Sequence, residues 1–407
     1  MRRTVGQAEM VAAAAAPARR LSEPAGAAVA WARQNLFSTW YNALLTLAAL
    51  WATYAAGRAV VGWALYSAEW TVVQVNFRLF FVGGFPQAHI WRVWLPVALT
   101  GLLSGMSWAV WGRASRTAAI AVAAATFALA AVPLRPETRL WLVATGTLVG
   151  VGFWIGARAP RIGRWLLVAW LGWFGVSILL LRGVPGSALL PPVGTNLWNG
   201  LLLTVLLAVV GIVASFPLGV LLALGRRSQM PAMRLVSIAY IELVRGVPLI
   251  TVLFMAQVML PLFLPEGMRP DRVLRAMAGL VLFSAAYLAE NVRGGLAAIP
   301  RGQIEAAQAL GLRGPLVLGL VVLPQALRTV IPAIVGQFIA LFKDTSLVAI
   351  VGLVDLLGVA RSILAQPRFL GRYVEVYVFV AALYFLFTYV MSYGSRRLEK
   401  ALGVGER

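Results

Sequence analysis

Charged side chains inside long apolar stretches are the residues of this sequence best suited to chemistry. An ionisable group within a membrane costs several kcal/mol unless it is paired or hydrated, so each one is a candidate functional residue. Glu242 and Arg245 are three residues apart, close enough to pair on one helix face, and Pro248 follows within a turn. Glu290 and Arg293 repeat that spacing. Carboxylate and guanidinium groups in such positions bind ions or zwitterions.

Two interpretations of these charges compete. In the first they line a translocation path, where a substrate α-carboxylate binds Arg245 or Lys343 and an α-ammonium binds Glu242 or Glu290. In the second they form permanent ion pairs that fix the register of the helices. Lys343 and Asp344 are adjacent, so their side chains point in different directions and need separate partners or water. Spacing alone does not decide between the two interpretations.

This chain lacks the residues on which most enzyme chemistry depends. Cysteine is absent, which excludes disulfides, thiolate nucleophiles and cysteine-ligated metals. His89 is the only histidine and lies in an aromatic stretch, so a histidine-based triad or metal site is not expected. A phosphate-binding loop of the GxxxxGK(S/T) type does not occur. We therefore predict no catalytic residue, no metal site and no cofactor.

The composition is that of a protein with many membrane spans. Of the 407 residues, 61% are hydrophobic and 12% are charged, and the mean hydropathy is +0.84. Apolar runs of about 20 residues, the length that crosses a hydrocarbon core, recur along the chain. The predicted fold is all-α and polytopic, with about ten transmembrane helices. The spans are placed at about 38–56, 93–111, 117–133, 140–156, 165–181, 198–225, 236–264, 274–292, 328–350 and 373–393.

The chain divides into three predicted segments. Residues 1–35 lack sustained periodicity and are predicted to form a disordered cytoplasmic tail. Residues 36–196 form an N-terminal membrane extension, in which the mixed aromatic and polar stretch 58–92 is predicted to lie on the membrane surface. A break rich in Pro and Gly at 182–196 separates it from a five-span core at 197–407.

The distribution of Lys and Arg predicts the orientation of the spans, and the total charge bears on the class of binding partner. The formal net charge is +21, but the interleaved aromatic and basic face of a nucleic-acid-binding protein is absent. Lys and Arg instead concentrate in loops on one side, as the positive-inside rule requires of the cytoplasmic side. The expected location is the bacterial cytoplasmic (inner) membrane, with both termini in the cytoplasm.

A polar loop at about 293–327 interrupts the core between two apolar runs. Pro300 suits the first turn of a short helix, and Gly311 suits a left-handed stop at its end. Ile304, Ala307 and Leu310 recur at helical spacing and are predicted to share its apolar face. From these residues alone, a helix lying on the membrane surface and a helix that binds a cytoplasmic partner are equally acceptable.

The wider spacing of this loop resembles the EAA loop of ABC importer permeases. Glu305-Ala306-Ala307 is followed by Gly311 and then by Val321 and Leu323-Pro324, with Val321 where the family usually has Ile. The core at about 195–395 is also similar to the polar amino-acid branch of these permeases, and the N-terminal extension to the general L-amino-acid uptake system. The matching segments are 34–37, 242–249, 255–265, 289–295, 299–303 and 343–347.

The resemblance implies a permease subunit of an ATP-driven L-amino-acid importer, with a type I ABC importer fold in the core. It implies that the loop is a coupling helix held by a cytoplasmic ABC ATPase dimer. A second permease subunit and an extracytoplasmic amino-acid-binding protein are the other expected partners, beside the lipid bilayer. The coupling residues are then Glu305, Ala306, Ala307, Gly311, Leu323 and Pro324.

Three alternatives remain open from the sequence. The first is a permease that serves another small polar solute rather than amino acids. A secondary transporter driven by an ion gradient predicts two similar halves with matching broken helices, and no such repeat is present. A membrane-embedded enzyme or assembly factor lacks the His and Cys that most of its chemistries need.

Overall fold

A computed structural model describes residues 24–111, 115–132, 135–265, 267–268, 270–401 and 403. Within these ranges the backbone is helical between short connections, and the only ladder-type pairing is an isolated parallel bridge between Gly200 and Asp355. The all-α, polytopic fold is confirmed. Contacts divide the chain into two compact units, Met1–Glu69 and Trp70–Arg407.

The described part of the first unit contains two α-helices. Helix α1 spans Pro24–Asn35, so that part of the predicted tail is helical, while residues 1–23 lie outside the described residues. Helix α2 spans Trp40–Gly62 and continues through a π-helical turn at Trp63–Ser67. The resulting span candidate, Trp40–Ser67, is longer than predicted and has no buried residue in its apolar window. The start of the predicted surface segment therefore belongs to a span.

The second unit begins with five helices upstream of the predicted core. Helix α3 buries Val72, Val73 and Phe80 and packs against the core helices, so it is not confined to a membrane surface as predicted. Helix α5 is apolar but too short to qualify as a span, which corrects one of the ten predicted spans. The five helices are α3 (Thr71–Val82), α4 (Trp91–Trp111), α5 (Ser115–Ala131), α6 (Pro136–Arg158) and α7 (Gly163–Arg182).

Helices α4 and α6 touch along a seam of small residues. A Cβ added to Gly105 would lie 2.2 Å from the carbonyl oxygen of Val149, and one added to Gly152 would lie 2.1 Å from that of Leu102. Neither position has room for a methyl group, so glycine is required for this approach of the two backbones. Close packing through small residues is a main source of helix association in lipid, where apolar side chains gain little from contacting each other.

The segment that follows α7 is held by a buried cation. Arg92 of α4 is fully buried and donates hydrogen bonds to the carbonyls of Pro191 at 2.8 Å and Leu189 at 3.4 Å. Gly183 adopts φ +76, and a Cβ there would meet the carbonyl of Pro191 at 2.4 Å. The predicted break at 182–196 is thus a packed connection.

Eight helices in the described chain are long and apolar enough to cross a membrane, and a bent pair raises the number to nine. The bent pair is α9 (Pro231–Arg245) with the Leu249–Phe263 segment, joined at 108°. That segment consists of α10 (Leu249–Phe254), a π-helical turn (Met255–Met259) and α11 (Leu260–Phe263). The other core helices are α8 (Gly200–Arg226), α12 (Arg272–Ala297), α13 (Arg301–Ala309), α14 (Gly314–Leu316), α15 (Leu323–Asp344), α16 (Leu356–Leu364) and α17 (Tyr373–Ala401).

The core is centred on α8 and α12, which run side by side. Gly219 of α8 allows this approach, because a Cβ there would lie 2.6 Å from the Cβ of Leu288 and 3.1 Å from the carbonyl of Ala285. Helix α15 covers the other side of α12, where a Cβ on Gly295 would meet the carbonyl of Ala326 at 2.5 Å. These contacts fix the ends of α8, α12 and α15, from which the candidate site is built.

Candidate functional site

Helix α13 is the short helix that the polar loop predicts. It begins after Pro300, whose backbone is extended, and carries no side-chain cap. Its last helical residue is Ala309, and Gly311 in the turn that follows is in the left-handed region, with φ +79. The N–H of Gly311 donates to the carbonyl of Gln308 at 2.9 Å, and that of Leu312 donates to Ala307 at 3.2 Å. These bonds satisfy carbonyls at the helix end, so Gly311 acts as the predicted stop signal.

One face of α13 is buried and the other is open. Ala307 is 4% exposed, and Ile304 packs with it against the ends of the core helices. Glu305, Ala306 and Ala309 are exposed. Leu310 is 83% exposed, so its predicted place on the buried face is wrong. The helix ends at Ala309, and the turn into Gly311 carries Leu310 away from the apolar face.

Leu323 and Pro324 lie inside a long helical segment and not in a loop. Helix α14, a π-helical segment at Val317–Val322 and α15 together form one span candidate, Gly314–Val351. Pro324 occupies the first turn of α15, where its missing N–H is tolerated. The connection between spans therefore covers residues 298–313, shorter than the predicted 293–327, because apolar helices continue from both sides.

The chain bends sharply beside the charged end of α9. Pro248 has an extended backbone, with φ −59 and ψ 142, and it precedes the first turn of α10. Since proline cannot donate an N–H and disfavours helix in the residue before it, α9 stops at Arg245. The predicted kink at Pro248 is confirmed, and at 108° it is a full break.

Five charged side chains meet where α8, α9 and α12 end or bend. Nη1 of Arg226 lies 2.9 Å from Oε1 of Glu242 and 2.8 Å from Oε1 of Glu290. The other oxygen of Glu290 lies 2.9 Å from Nη2 of Arg293 and 3.6 Å from Nη1 of Arg245. We call these five residues the charge cluster. It holds three arginines and two glutamates, so it carries one excess positive charge.

The charge cluster corrects the predicted pairing. Glu242 and Arg245 share a helix but bind different partners, Arg226 and Glu290 respectively, within the described residues. The i,i+3 pair of Glu290 and Arg293 is present. Sequence reasoning did not single out Arg226. Its position at the end of a long apolar run, directly before a second arginine, was the available signal.

Arg245 is the least constrained of the three arginines. Its shortest ion-pair distance, 3.6 Å, is the longest in the charge cluster, and its side chain is 36% exposed. Its guanidinium lies 5.6 Å from the ring centroid of Tyr287, within the range of a cation–π contact. A carboxylate ligand would find donors on Arg245 that Glu290 does not occupy.

Lys343 and Asp344 are remote from the charge cluster. They close α15 at the end opposite to Leu323, and the neighbouring Leu341 packs against Gly211 of α8. Gly211 precedes Arg226 by 15 residues of helix, or about 22 Å of rise. The structure thus brings Glu242, Arg245 and Glu290 together with Pro248 nearby, and leaves Lys343 and Asp344 apart. No group of three or more His, Asp or Glu residues suited to a metal occurs in the described chain.

A buried polar cluster joins α8, α16 and α17 near the start of α8. The carboxylate of Asp355 caps α16, accepting from the N–H of Gly358 at 2.9 Å and Leu357 at 3.2 Å. The hydroxyl of Tyr384 donates to it at 3.3 Å. Burial raises the pKa of Asp355 to about 6 against these stabilising hydrogen bonds. Sequence analysis did not single out this residue.

The charge cluster, the bent helix pair and α13 all lie within a segment that matches a known protein family. Residues 215–403 match the family described as binding-protein-dependent transport system inner membrane component. The chain belongs to this family and is a permease of an ABC importer.

Full-length relatives support the assignment. The chain is 38% identical over 404 residues to the inner membrane amino-acid ABC transporter permease protein YhdY of Escherichia coli (strain K12), covering 96% of this chain and 97% of that one. It is 36% identical to the glutamate/glutamine/aspartate/asparagine transport system permease protein BztC of Rhodobacter capsulatus, covering 97% of each. Both matches include the helices upstream of the core.

Shorter relatives match half of the chain. The probable glutamine ABC transporter permease protein GlnP of Bacillus subtilis is 35% identical, covering 50% of this chain and 92% of its own. Among solved structures, an amino acid ABC transporter with histidines is 32% identical with a TM-score of 0.45, covering 49% of this chain and 91% of that one.

Proposed function

We propose that this permease carries L-amino acids across the cytoplasmic membrane. The observation that carries the proposal is the match over nearly the whole chain to permeases named for amino acids, among them glutamate, glutamine, aspartate and asparagine. The charge cluster supports it. A zwitterion or an acidic amino acid needs a cation for its carboxylate, and Arg245 has free donor capacity beside Glu242 and Glu290.

The second part of the proposal concerns the energy source. Helix α13 presents Glu305, Ala306 and Ala309 on an open face, with the exposed Leu310 beside them. The small residues Ala306 and Ala309 allow a partner to approach closely, and the carboxylate of Glu305 can orient it. The large exposed apolar side chain of Leu310 suits a protein contact. We assign this face to a separate cytoplasmic ABC ATPase dimer, which supplies ATP hydrolysis.

The remaining partners follow from the same division of labour. A second permease subunit forms the other half of the pathway, and an extracytoplasmic binding protein delivers the amino acid. ATP binding moves α13, and the span that begins at Gly314 transmits the motion as a rigid-body switch between inward- and outward-open states. In this orientation α13 and the end of α17 are cytoplasmic, and a cytoplasmic N-terminus requires α5 to cross the membrane as a tenth span.

Reconstitution with the ATPase, second permease and binding protein tests the coupling role. Glu305→Lys is expected to abolish substrate-stimulated ATPase activity and uptake, while the chain folds and inserts normally. Glu137→Lys, an exposed charge reversal in the first turn of α6, is the matched control and should retain activity. Uptake by the lone chain without an ATPase would overturn the proposal.

Uptake assays with varied substrates test the amino-acid role. We expect Arg245→Ala to raise the transport KM by about tenfold with little change in ATPase association, because one carboxylate contact is worth roughly that factor. Arg226→Ala should instead impair folding, since that residue joins two glutamates. If Arg245→Ala loses assembly like Arg226→Ala, the charge cluster is structural. Uptake of a different polar solute, with no amino acid transported, would identify another substrate class.

A further inference from the structure

A cavity of about 510 Å³ lies between α13 and the ends of the core helices. Its walls come from the last turns of α8 and α12, the start of α9, α13 and the Val317–Val322 segment. Helix α13 contributes Ile304 and Gln308. The cavity therefore lies beside the contact of the proposed coupling helix with the core helices, and any occupant touches both.

The lining of this cavity is divided by polarity. Most of it consists of apolar side chains, including Leu221, Leu224 and Leu318, together with Val317 and Val322. The polar lining side chains are Arg227, Ser228 and Gln308, and no acidic residue lines it. A fully polar ligand would leave its groups unpaired against this wall, which is unfavourable. An occupant with an apolar body and an anionic end matches both parts.

Arg227 lines the polar part, and two further arginines are sequence neighbours of lining residues. Arg227 is exposed. Its Nη1 donates a hydrogen bond to the carbonyl of Leu296 at 3.0 Å, so its other N–H groups remain available to a ligand. Arg313 precedes the lining residue Gly314, and Arg234 follows the lining residue Met233. Both are exposed, and neither has an ion pair within the part of the chain that the structure describes.

The cavity also lies beside exposed apolar residues of the candidate spans, which would contact lipid. Leu221, which lines it, is 63% exposed on a helix that crosses the membrane. Leu320, on the same π-helical segment as Leu318, is 66% exposed. Apolar side chains face the hydrocarbon beside it, and arginines mark the edge of the membrane. Anionic phospholipids in the cytoplasmic leaflet attract such juxtamembrane arginines.

We propose that this cavity binds an anionic phospholipid, with an acyl chain against the leucines and the headgroup phosphate held by Arg227 and Arg313. The placement at the cytoplasmic leaflet rests on the orientation given under the proposed function. Bound lipid would support α13 from beneath, so the lipid content of the membrane would set how firmly the coupling helix is held. An apolar cavity with a cationic, acid-free lining matches this ligand in both of its parts.

Native mass spectrometry of the purified full-length chain tests the proposed phospholipid binding without any transport assay. The probes are phosphatidylglycerol and phosphatidylcholine, presented at equal concentrations in mixed micelles. The wild type is expected to retain one phosphatidylglycerol with a preference of about tenfold over phosphatidylcholine, given two rim arginines. Leu318→Trp, which fills the cavity, should lose this molecule, whereas Leu320→Trp on the exposed side of the same segment should keep it.

Charge variants provide the second arm. Arg227→Gln and Arg313→Gln should each weaken phosphatidylglycerol binding by about fivefold and leave phosphatidylcholine unchanged. Arg396→Gln, an exposed arginine near the end of α17, is the matched control and should bind as the wild type does. Binding that survives Leu318→Trp, or equal retention of the two lipids, overturns the proposal. Competition by glycerol phosphate alone would also overturn it, by showing an anion site without a chain site.

Lipid binding and amino-acid transport fail separately in these experiments. The chain can retain phosphatidylglycerol while transporting another solute, which would leave the cavity assignment intact and remove the substrate assignment. Conversely, normal amino-acid uptake in vesicles of pure phosphatidylcholine, together with no retained lipid, would remove the cavity assignment alone.

Discussion

Nη1 of Arg226 lies 2.8 Å from Oε1 of Glu290, so the last residue of α8 is tied to α12, which follows the bent helix pair in the chain. The guanidinium is 25% exposed and the carboxylate 16% exposed, which places the pair between surface and interior. Partly buried pairs contribute more than surface pairs, which are worth about 0–1 kcal/mol. Removing one partner leaves the other charge uncompensated.

Glu290→Gln is expected to destabilise the chain by about 2 kcal/mol, because three arginines would then converge on a neutral amide. Glu242 is 55% exposed and binds Arg226 alone, so Glu242→Gln should change stability by no more than about 0.5 kcal/mol. Thermal unfolding of the detergent-purified variants measures both. Equal losses for the two variants would contradict the central place of Glu290 in the charge cluster.

The glycine seam between α4 and α6 gives a prediction about packing. Gly152→Ala should destabilise the upstream helices by about 2 kcal/mol, since its Cβ would lie 2.1 Å from the carbonyl oxygen of Leu102. Gly150→Ala, on the same helix with open space around it, should be neutral or slightly stabilising. Limited proteolysis and thermal unfolding distinguish the two. A stable Gly152→Ala chain would mean that the helices do not pack at this distance.

Gly311 gives a prediction about the coupling helix. An alanine there would need the left-handed conformation at φ +79, which costs about 1–2 kcal/mol, although space is available around it. We expect Gly311→Ala to loosen the end of α13 and to lower ATPase association by roughly tenfold. Gly302→Ala, in the first turn of the same helix and also unobstructed, is the control and should associate normally. Co-purification with the ATPase provides the readout.

Asp355 gives a prediction about pH. Its pKa in the folded chain is about 6 against an ordinary 3.8, so the folded state holds the proton more tightly than the unfolded state. The contribution of Asp355 to stability is therefore full below pH about 4 and is lost as pH rises through about 6. Over two pH units this amounts to about 3 kcal/mol. Burial dominates, opposed by the hydrogen bonds to the carboxylate and by the charge of Arg361.

Asp355→Asn tests the pH prediction. The wild-type melting temperature should fall between pH 4 and pH 6, and the variant should show a much smaller fall, because an amide does not titrate in this range. Asp271→Asn, a helix cap that is exposed to solvent, is the control and should keep the wild-type slope. An unchanged slope in Asp355→Asn would assign the pH dependence to another group.

Features with a local sequence signal were predicted well. The stop at Gly311 and the break at Pro248 depend on the backbone rules of single residues, and both occur where expected. The pairing of Glu290 with Arg293 needs only helical spacing. The family spacing from Glu305 to Pro324 supplied the class of protein, which hydropathy alone did not.

Features that depend on tertiary contacts were missed. Arg226 is 64 residues from Glu290, and only the parallel packing of α8 and α12 brings them together. Helix α3 looked like a surface segment because its mixed composition hides the apolar face that the core covers. Leu310 was placed on the buried face by extending a helical period beyond the last helical residue. In each case the local periodicity was correct. The packing partner or the helix boundary could not be deduced from the few residues that show that periodicity.

The π-helical segment at Val317–Val322 has a consequence for the transmission of movement. A π-turn places about one extra residue in the helical path, which rotates everything after it by roughly 100° about the axis. The angular phase between α14 and α15 is therefore fixed by the number of backbone residues and not by any side chain. Deleting Gly319, which has no side chain, would keep the packing residues of the segment and still rotate the face that α15 turns toward its neighbours.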